Sequence, residues 1–228
     1  MSQRIGAAAG ILFIVISFAS LGLAPPPPGL DATPAEVVEH FADNPGGLQA
    51  MSLLFALAIA AATVWFGAVR AHVWTGGDSA PWGPVATVGM AVVAVSWLLI
   101  SAIVSATAVQ LDDLDPGTVL FAGTLTDMAN FSGQLGVALL ALGVSAGARE
   151  RRSLPTWLVA VGAAMAAISL LSTAGFATDA AWVEATLYAS WLPFVVWFVG
   201  VSVVLWRAAP SDASLAVDRP GREAAAVG

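Results

Sequence analysis

Asp127, Asn130 and Gln134 are the residues best able to do chemistry inside an otherwise apolar stretch of this chain. At i, i+3 and i+7 they share one face of a helix. A carboxylate and two amides placed that way in lipid can bind a polar ligand, pass a proton, or bond to a neighbouring helix. Counting from Arg149 at about 1.5 Å per residue puts Gln134 roughly 22 Å and Asp127 roughly 33 Å from the arginine-bearing edge of a hydrocarbon core about 30 Å thick. The same count places Ser101, Ser105, Ser172, Thr173, Tyr188 and Ser190 in the outer third. Pro193 frees the carbonyl of Ala189 and should kink its helix just below Trp191. These residues predict an outward-facing polar pocket that binds or passes a small amphiphilic molecule or a lipid. A plainer alternative is that the amides and hydroxyls only tie helices together.

A second set, Glu36, His40 and Asp43, shares a face on a short segment outside the apolar stretches. Carboxylate, imidazole and carboxylate are ligands for a divalent metal. A solvated polar face explains the same three residues, so the metal reading is the weaker one.

Other chemistry is excluded by residue type. The chain has no cysteine, which removes disulfides, iron–sulfur clusters, thiolate zinc sites and cysteine nucleophiles. It has no lysine, which removes a retinal Schiff base. His40 and His72 both fall outside the apolar stretches, so paired axial histidines for haem and an intramembrane serine–histidine pair are not expected. No phosphate-binding glycine loop and no HExxH motif occurs. No cofactor is expected, and an enzyme ranks last among the function classes. The net charge of −7 argues against a nucleic-acid partner.

What must position these residues is a membrane bundle. Of 228 residues, 58% are hydrophobic and only 10% charged, against about 25% charged in soluble domains. Lipid solves the problem of so much apolar surface. The expectation is an all-α, polytopic bundle of six spans at about 5–24, 49–69, 84–109, 127–148, 155–177 and 186–206. A disordered tail, 208–228, would follow the transmembrane domain 1–207. Span 1 has some features of a signal peptide, but Pro25 to Pro28 directly after Ala24 speak against cleavage. Thr33-Pro34-Ala35-Glu36 reads as a capping box that opens a short outer helix at about 34–43.

All eight basic residues are arginines: Arg4, Arg70, Arg149, Arg151, Arg152, Arg207, Arg219 and Arg222. A six-span model puts every one on the same side. Asp31, Glu36, Glu39, Asp43, Asp112, Asp113, Asp115, Asp179 and Glu184 fall on the other. Arginine excess marks the cytoplasmic side, so both termini are expected inside. Trp65, Trp74, Trp82, Trp157 and Trp206 lie near the arginine-side ends and read as an interfacial belt. Gly10 to Ser17, Gly89 to Ser96 and Gly162 to Ser169 share a Gly-x6-Ser spacing in spans 1, 3 and 5. That spacing raises the expectation of three repeated helical hairpins.

The opening Arg4-Ile5-Gly6-Ala7-Ala8-Ala9-Gly10-Ile11-Leu12-Phe13 and the segment Ala35-Glu36-Val37-Val38-Glu39-His40-Phe41-Ala42-Asp43-Asn44, after a proline-rich stretch, carry a resemblance. The chain resembles a six-helix integral membrane protein family of unknown function common in high-GC Gram-positive bacteria. The resemblance implies a bacterial plasma-membrane location and the six-helix fold, and it transfers no role to any residue. The competing function class is a structural or regulatory subunit of a membrane complex. Such a subunit would have a protein partner or a second copy of itself in place of an amphiphilic ligand.

Overall fold

A computed structural model describes residues 3–29, 32–74, 81–178 and 180–209. Asp31, Asp179, Arg219, Arg222 and nearly all of the expected tail lie outside the described residues. The described chain is all helical: α1 (Gln3–Leu21), α2 (Pro34–Asp43), α3 (Pro45–Val73), α4 (Trp82–Gln110), α5 (Pro116–Arg151), α6 (Thr156–Ser172) and α7 (Ala181–Ala208). All of these except α2 belong to six stretches long and apolar enough to cross a membrane. The fold is therefore a polytopic helical bundle. Helices satisfy every backbone group internally, the condition lipid imposes on a spanning segment.

Local chemistry sets several boundaries. In α2 the Glu36 amide donates to Thr33 Oγ1 (3.4 Å), while Thr33 N and Thr33 Oγ1 donate to Glu36 Oε2 (2.7 and 2.8 Å). Asn44 starts α3, accepting from Gly47 N at 3.0 Å. Its Nδ2 donates to Leu23 O at 2.8 Å and so ties that start to the end of α1. Asp115 starts α5 by accepting from Gly117 N and Thr118 N at 3.0 and 3.1 Å, with Pro116 at the first helical position. Helix α5 thus begins 11 residues before the expected Asp127 boundary. At 36 residues it is about 54 Å long, well beyond a hydrocarbon core of about 30 Å.

The extension receives the outer helix. Val37 and Phe41 of α2 are buried with Leu48, Val104, Ala108 and Val119 in a small core of their own. A Cβ on Gly123 of α5 would lie 3.3 Å from Val37 Cγ1. Glu36 is held below the usual carboxylate range, first by the Thr33 backbone N–H and then by its hydroxyl. A carboxylate depressed in the folded state stabilises above its ordinary value of 4.5, and the effect is lost as pH falls through the folded value. The hydrogen-exchange protection of residues 34–43, taken relative to the intrinsic rate at each pH, should therefore fall on acidification below that range. Glu36→Gln should remove the acid step, whereas Thr33→Ala keeps the backbone N–H to Glu36 and should only weaken the cap, by about 1 kcal/mol. An acid step that persists in Glu36→Gln would show that Glu36 does not hold the helix.

The interior is aromatic. Trp65 and Phe198 stack at 4.1 Å, and Phe198 meets Phe13 at 4.8 Å and Phe194 at 4.6 Å. Phe194 meets Trp97 at 6.1 Å. The expected tryptophan belt needs correction. Of its five members Trp65 and Trp74 are buried in the core, and Trp157 and Trp206 are largely exposed, at 54% and 55%. Small residues make room for the indoles. A Cβ on Gly10 would lie 2.7 Å from Trp65 Nε1, and one on Gly162 would lie 2.6 Å from Trp197 Nε1. The first and third hairpins thus share one contact, a glycine on the first helix under a tryptophan of the second. In the second hairpin α4 and α5 meet backbone to backbone at Gly89, Gly136 and Gly143.

The two ends of the bundle differ in charge. Trp82 Nε1 donates to Glu150 Oε1 at 2.7 Å, and His72 Nε2 lies 3.2 Å from Ser153 O, which requires the Nε2–H tautomer. These contacts bring the end of α3, the start of α4 and the end of α5 together. Arg70 and Arg149 to Arg152 therefore share one end, where Arg152 closes α5 in the left-handed region (φ 52°). Glu36, Glu39, Asp43, Asp112, Asp113 and Asp115 belong to the opposite end.

Candidate functional site

Three of the polar or aromatic residues singled out in the sequence converge. Gln134 of α5 and Ser190 and Trp191 of α7 line one small cavity with Trp97, Val137 and Phe194. Gln134 is only 7% exposed, and its Oε1 has no hydrogen-bond partner among the described residues. Ser190 is buried and donates to Leu187 O at 2.7 Å. Half-buried Trp191 leans on Phe18 and Phe194 with ring centroids 6.3 and 5.9 Å away. Trp97 fits here because Gly133, next to Gln134, has no side chain: a Cβ there would lie 2.9 Å from Trp97 Cδ1.

The cavity volume is about 20 Å³, enough for one water, which needs about 10–15 Å³. Two polar residues line it, Gln134 with an unpartnered Oε1 and Ser190 with a hydroxyl that donates to Leu187 O, set among two indoles and a phenyl ring. No lining residue titrates. The arrangement suits recognition of an uncharged donor group.

The remaining candidates are not brought to this cavity. Asp127 and Asn130 are half-buried on the same face of α5, nearer its acidic end, and neither lines the cavity. Ser101 donates back to Trp97 O at 3.0 Å, which binds it into its own helix. Ser105 is half-buried and not part of the wall. Ser172 is fully buried between helices, donating to Ile168 O (3.1 Å) or across to Thr186 Oγ1 (3.0 Å). Tyr188 is 61% exposed and faces away from the bundle, because the turn that points Ser190 and Trp191 inward rotates it outward.

The metal reading of Glu36, His40 and Asp43 also fails on geometry. No group of three or more histidine, aspartate or glutamate side chains able to hold a metal occurs among the described residues. Glu36 is committed to the capping box, and His40 leans on the Phe41 ring at 5.5 Å. Burial lowers the His40 pKa, against an opposing pull from Asp43.

Sequence reasoning missed Trp97, Val137 and Phe194. Gly133 and Gln134, adjacent on α5, were a signal for Trp97: a residue without a side chain beside a polar one marks a place where a large side chain approaches.

The chain matches no known family, no curated protein and no solved structure. The function must be read from these residues alone.

Proposed function

We propose that this membrane protein binds a small, uncharged amphiphile at Gln134, and that its membrane is a bacterial plasma membrane with both termini in the cytoplasm. One observation carries the binding reading: a buried amide oxygen without a partner, on a residue that lines an aromatic-walled cavity. Burying such an acceptor unbonded costs about 1–3 kcal/mol, and a ligand hydroxyl or amide N–H would recover it. The absence of charge in the wall selects a neutral head group. The indoles of Trp97 and Trp191 would stack on its apolar part. The cavity is partly open but has room for only one water, so a larger ligand would need Trp191 to swing aside. Pro193, inside α7 two residues on, supplies a hinge for that motion. Passage of the ligand through the bundle would use the same gate. The cytoplasmic placement of both termini rests on the arginines gathered at one end.

A second reading is favoured by the filled aromatic interior: a structural or regulatory subunit that meets its partner through its surface. Native mass spectrometry of protein released gently from its own membrane separates the two. The expected result is a small bound molecule on the wild type that Gln134→Leu loses while remaining folded. Folding should survive because an apolar replacement removes an unpaired acceptor. A wild type released bare and monomeric would overturn the binding reading. A protein that co-purifies in place of a small molecule would favour the subunit.

A further inference from the structure

A second concavity lies at the arginine end, independent of the Gln134 cavity. It is a groove of about 840 Å³ between α1 and α7, walled by Ile5, Ala8, Leu12 and Val15 on one side and Val203 and Trp206 on the other. Its floor is made of small buried residues, including Ala7 and Ser202, each 1% exposed. Ser202 donates to Phe198 O at 2.7 Å, so the floor offers little polarity. The walls are open, with Ile5 and Val15 both 58% exposed.

Length and charge narrow what fits. From Ile5 to Val15 the groove runs about 15 Å along α1, which is one leaflet of a hydrocarbon core about 30 Å thick. It starts at the interface, where exposed Trp206 sits, and stops near the midplane. Arg4 directly precedes Ile5, and exposed Arg207 directly follows Trp206. Neither arginine lines the groove, but Arg4 lies one helical turn from Ala8 and Arg207 one turn from Val203. An apolar channel one leaflet deep is thus flanked at its interfacial end by an arginine on each helix, the form of a lipid seat whose head group is negative. Basic sites between spans on the cytoplasmic face bind such head groups, and guanidinium grips phosphate through paired N–H donors.

We propose that the α1–α7 groove is a selective site for one anionic phospholipid of the arginine-side leaflet, one acyl chain lying on Ala7 and Ala8 and the phosphate at Arg4 and Arg207. The chain supplies shape and the arginines supply discrimination. Each arginine near a head group contributes about a fivefold preference, roughly thirtyfold for the pair.

The test uses the full chain in nanodiscs of equal phosphatidylglycerol and phosphatidylcholine, followed by native mass spectrometry of the lipids retained. The expected result is one phosphatidylglycerol held in preference to phosphatidylcholine. The Arg4→Gln/Arg207→Gln double variant should lose the preference. Ala8→Trp, which fills the groove from an exposed position and leaves both arginines in place, should lose the retained lipid. Equal retention of the two lipids by the wild type would overturn the proposal, as would an Ala8→Trp variant that keeps its phosphatidylglycerol. A wild-type dimer whose interface protects the groove would overturn it as well.

Discussion

Gly136→Ala should lower the melting temperature of the detergent-solubilised protein by roughly 6–12 °C, a loss of about 3 kcal/mol at this chain length. A Cβ on Gly136 would lie 2.6 Å from Val93 N, 2.9 Å from Gly89 O and 2.9 Å from Val93 Cγ2. Two of these are backbone atoms of α4. A side chain could rotate away, but a helix backbone yields only if the whole helix moves. The move would separate α4 from α5, and α5 is the most enclosed of the six spans. The cost therefore belongs at the upper end of the overpacking range. Gly46→Ala is the control. It lies in the first turn of α3 with nothing within 4 Å of an added Cβ, and alanine is the better helix former. If both variants melt together, the α4–α5 contact is looser than described.

Trp197→Ala should cost about 3–5 kcal/mol, the range for removing a large aromatic from a core that cannot collapse. Trp197 is fully buried, edge-on to Trp65 at 5.7 Å and to Phe198 at 5.6 Å. The indole rests in the notch of Gly162, against Ser145 Oγ. Neither Trp197 Nε1 nor Ser145 Oγ has a hydrogen-bond partner among the described residues. Trp197→Phe should therefore be far milder than Trp197→Ala, because it keeps most of the ring and removes an unpaired donor. Chemical denaturation of the three proteins side by side checks both statements. A phenylalanine variant as damaged as the alanine variant would mean that the indole N–H, and not the ring, holds the core.

Part of this molecule is written in residue order. Six apolar stretches of about 20 residues enter lipid as helices, since lipid offers backbone groups no partner and a spanning strand would need only about 9–11 residues. Helix α2 follows from Thr33, Pro34 and Glu36, whose atoms bond to one another within a single turn. Asp115 and Pro116 carry the same local signal at the start of α5, 11 residues before Asp127. The two ends of the bundle follow from alternation of direction: arginines begin α1 and end α3, α5 and α7.

The candidate site was legible only in part. Gln134, Ser190 and Trp191 converge, while Asp127, Asn130, Ser101, Ser105, Ser172 and Tyr188 do not join them at the cavity. Asp127 and Asn130 share the face of Gln134 but stand nearer the acidic end, and Ser101 and Ser172 are buried away from the cavity; for Tyr188 the reason is rotational. In a soluble protein the polar face of a helix tells which way it turns, as in α2, where Val37 and Phe41 face inward and Glu36 and Glu39 outward. Helices α1, α4 and α7 are apolar all round, since both lipid and core accept leucine and valine. Composition fixes that such a helix spans but not which side meets its neighbours. Sequence by itself determined the helical class, the spans, the outer cap and the charged poles. Tertiary packing decided that Trp65 and Trp197 are core, that Tyr188 faces outward and that Gln134 meets Trp97. It did so through contacts at Gly10, Gly133 and Gly162, where the missing side chain sets how closely helices approach and how they turn.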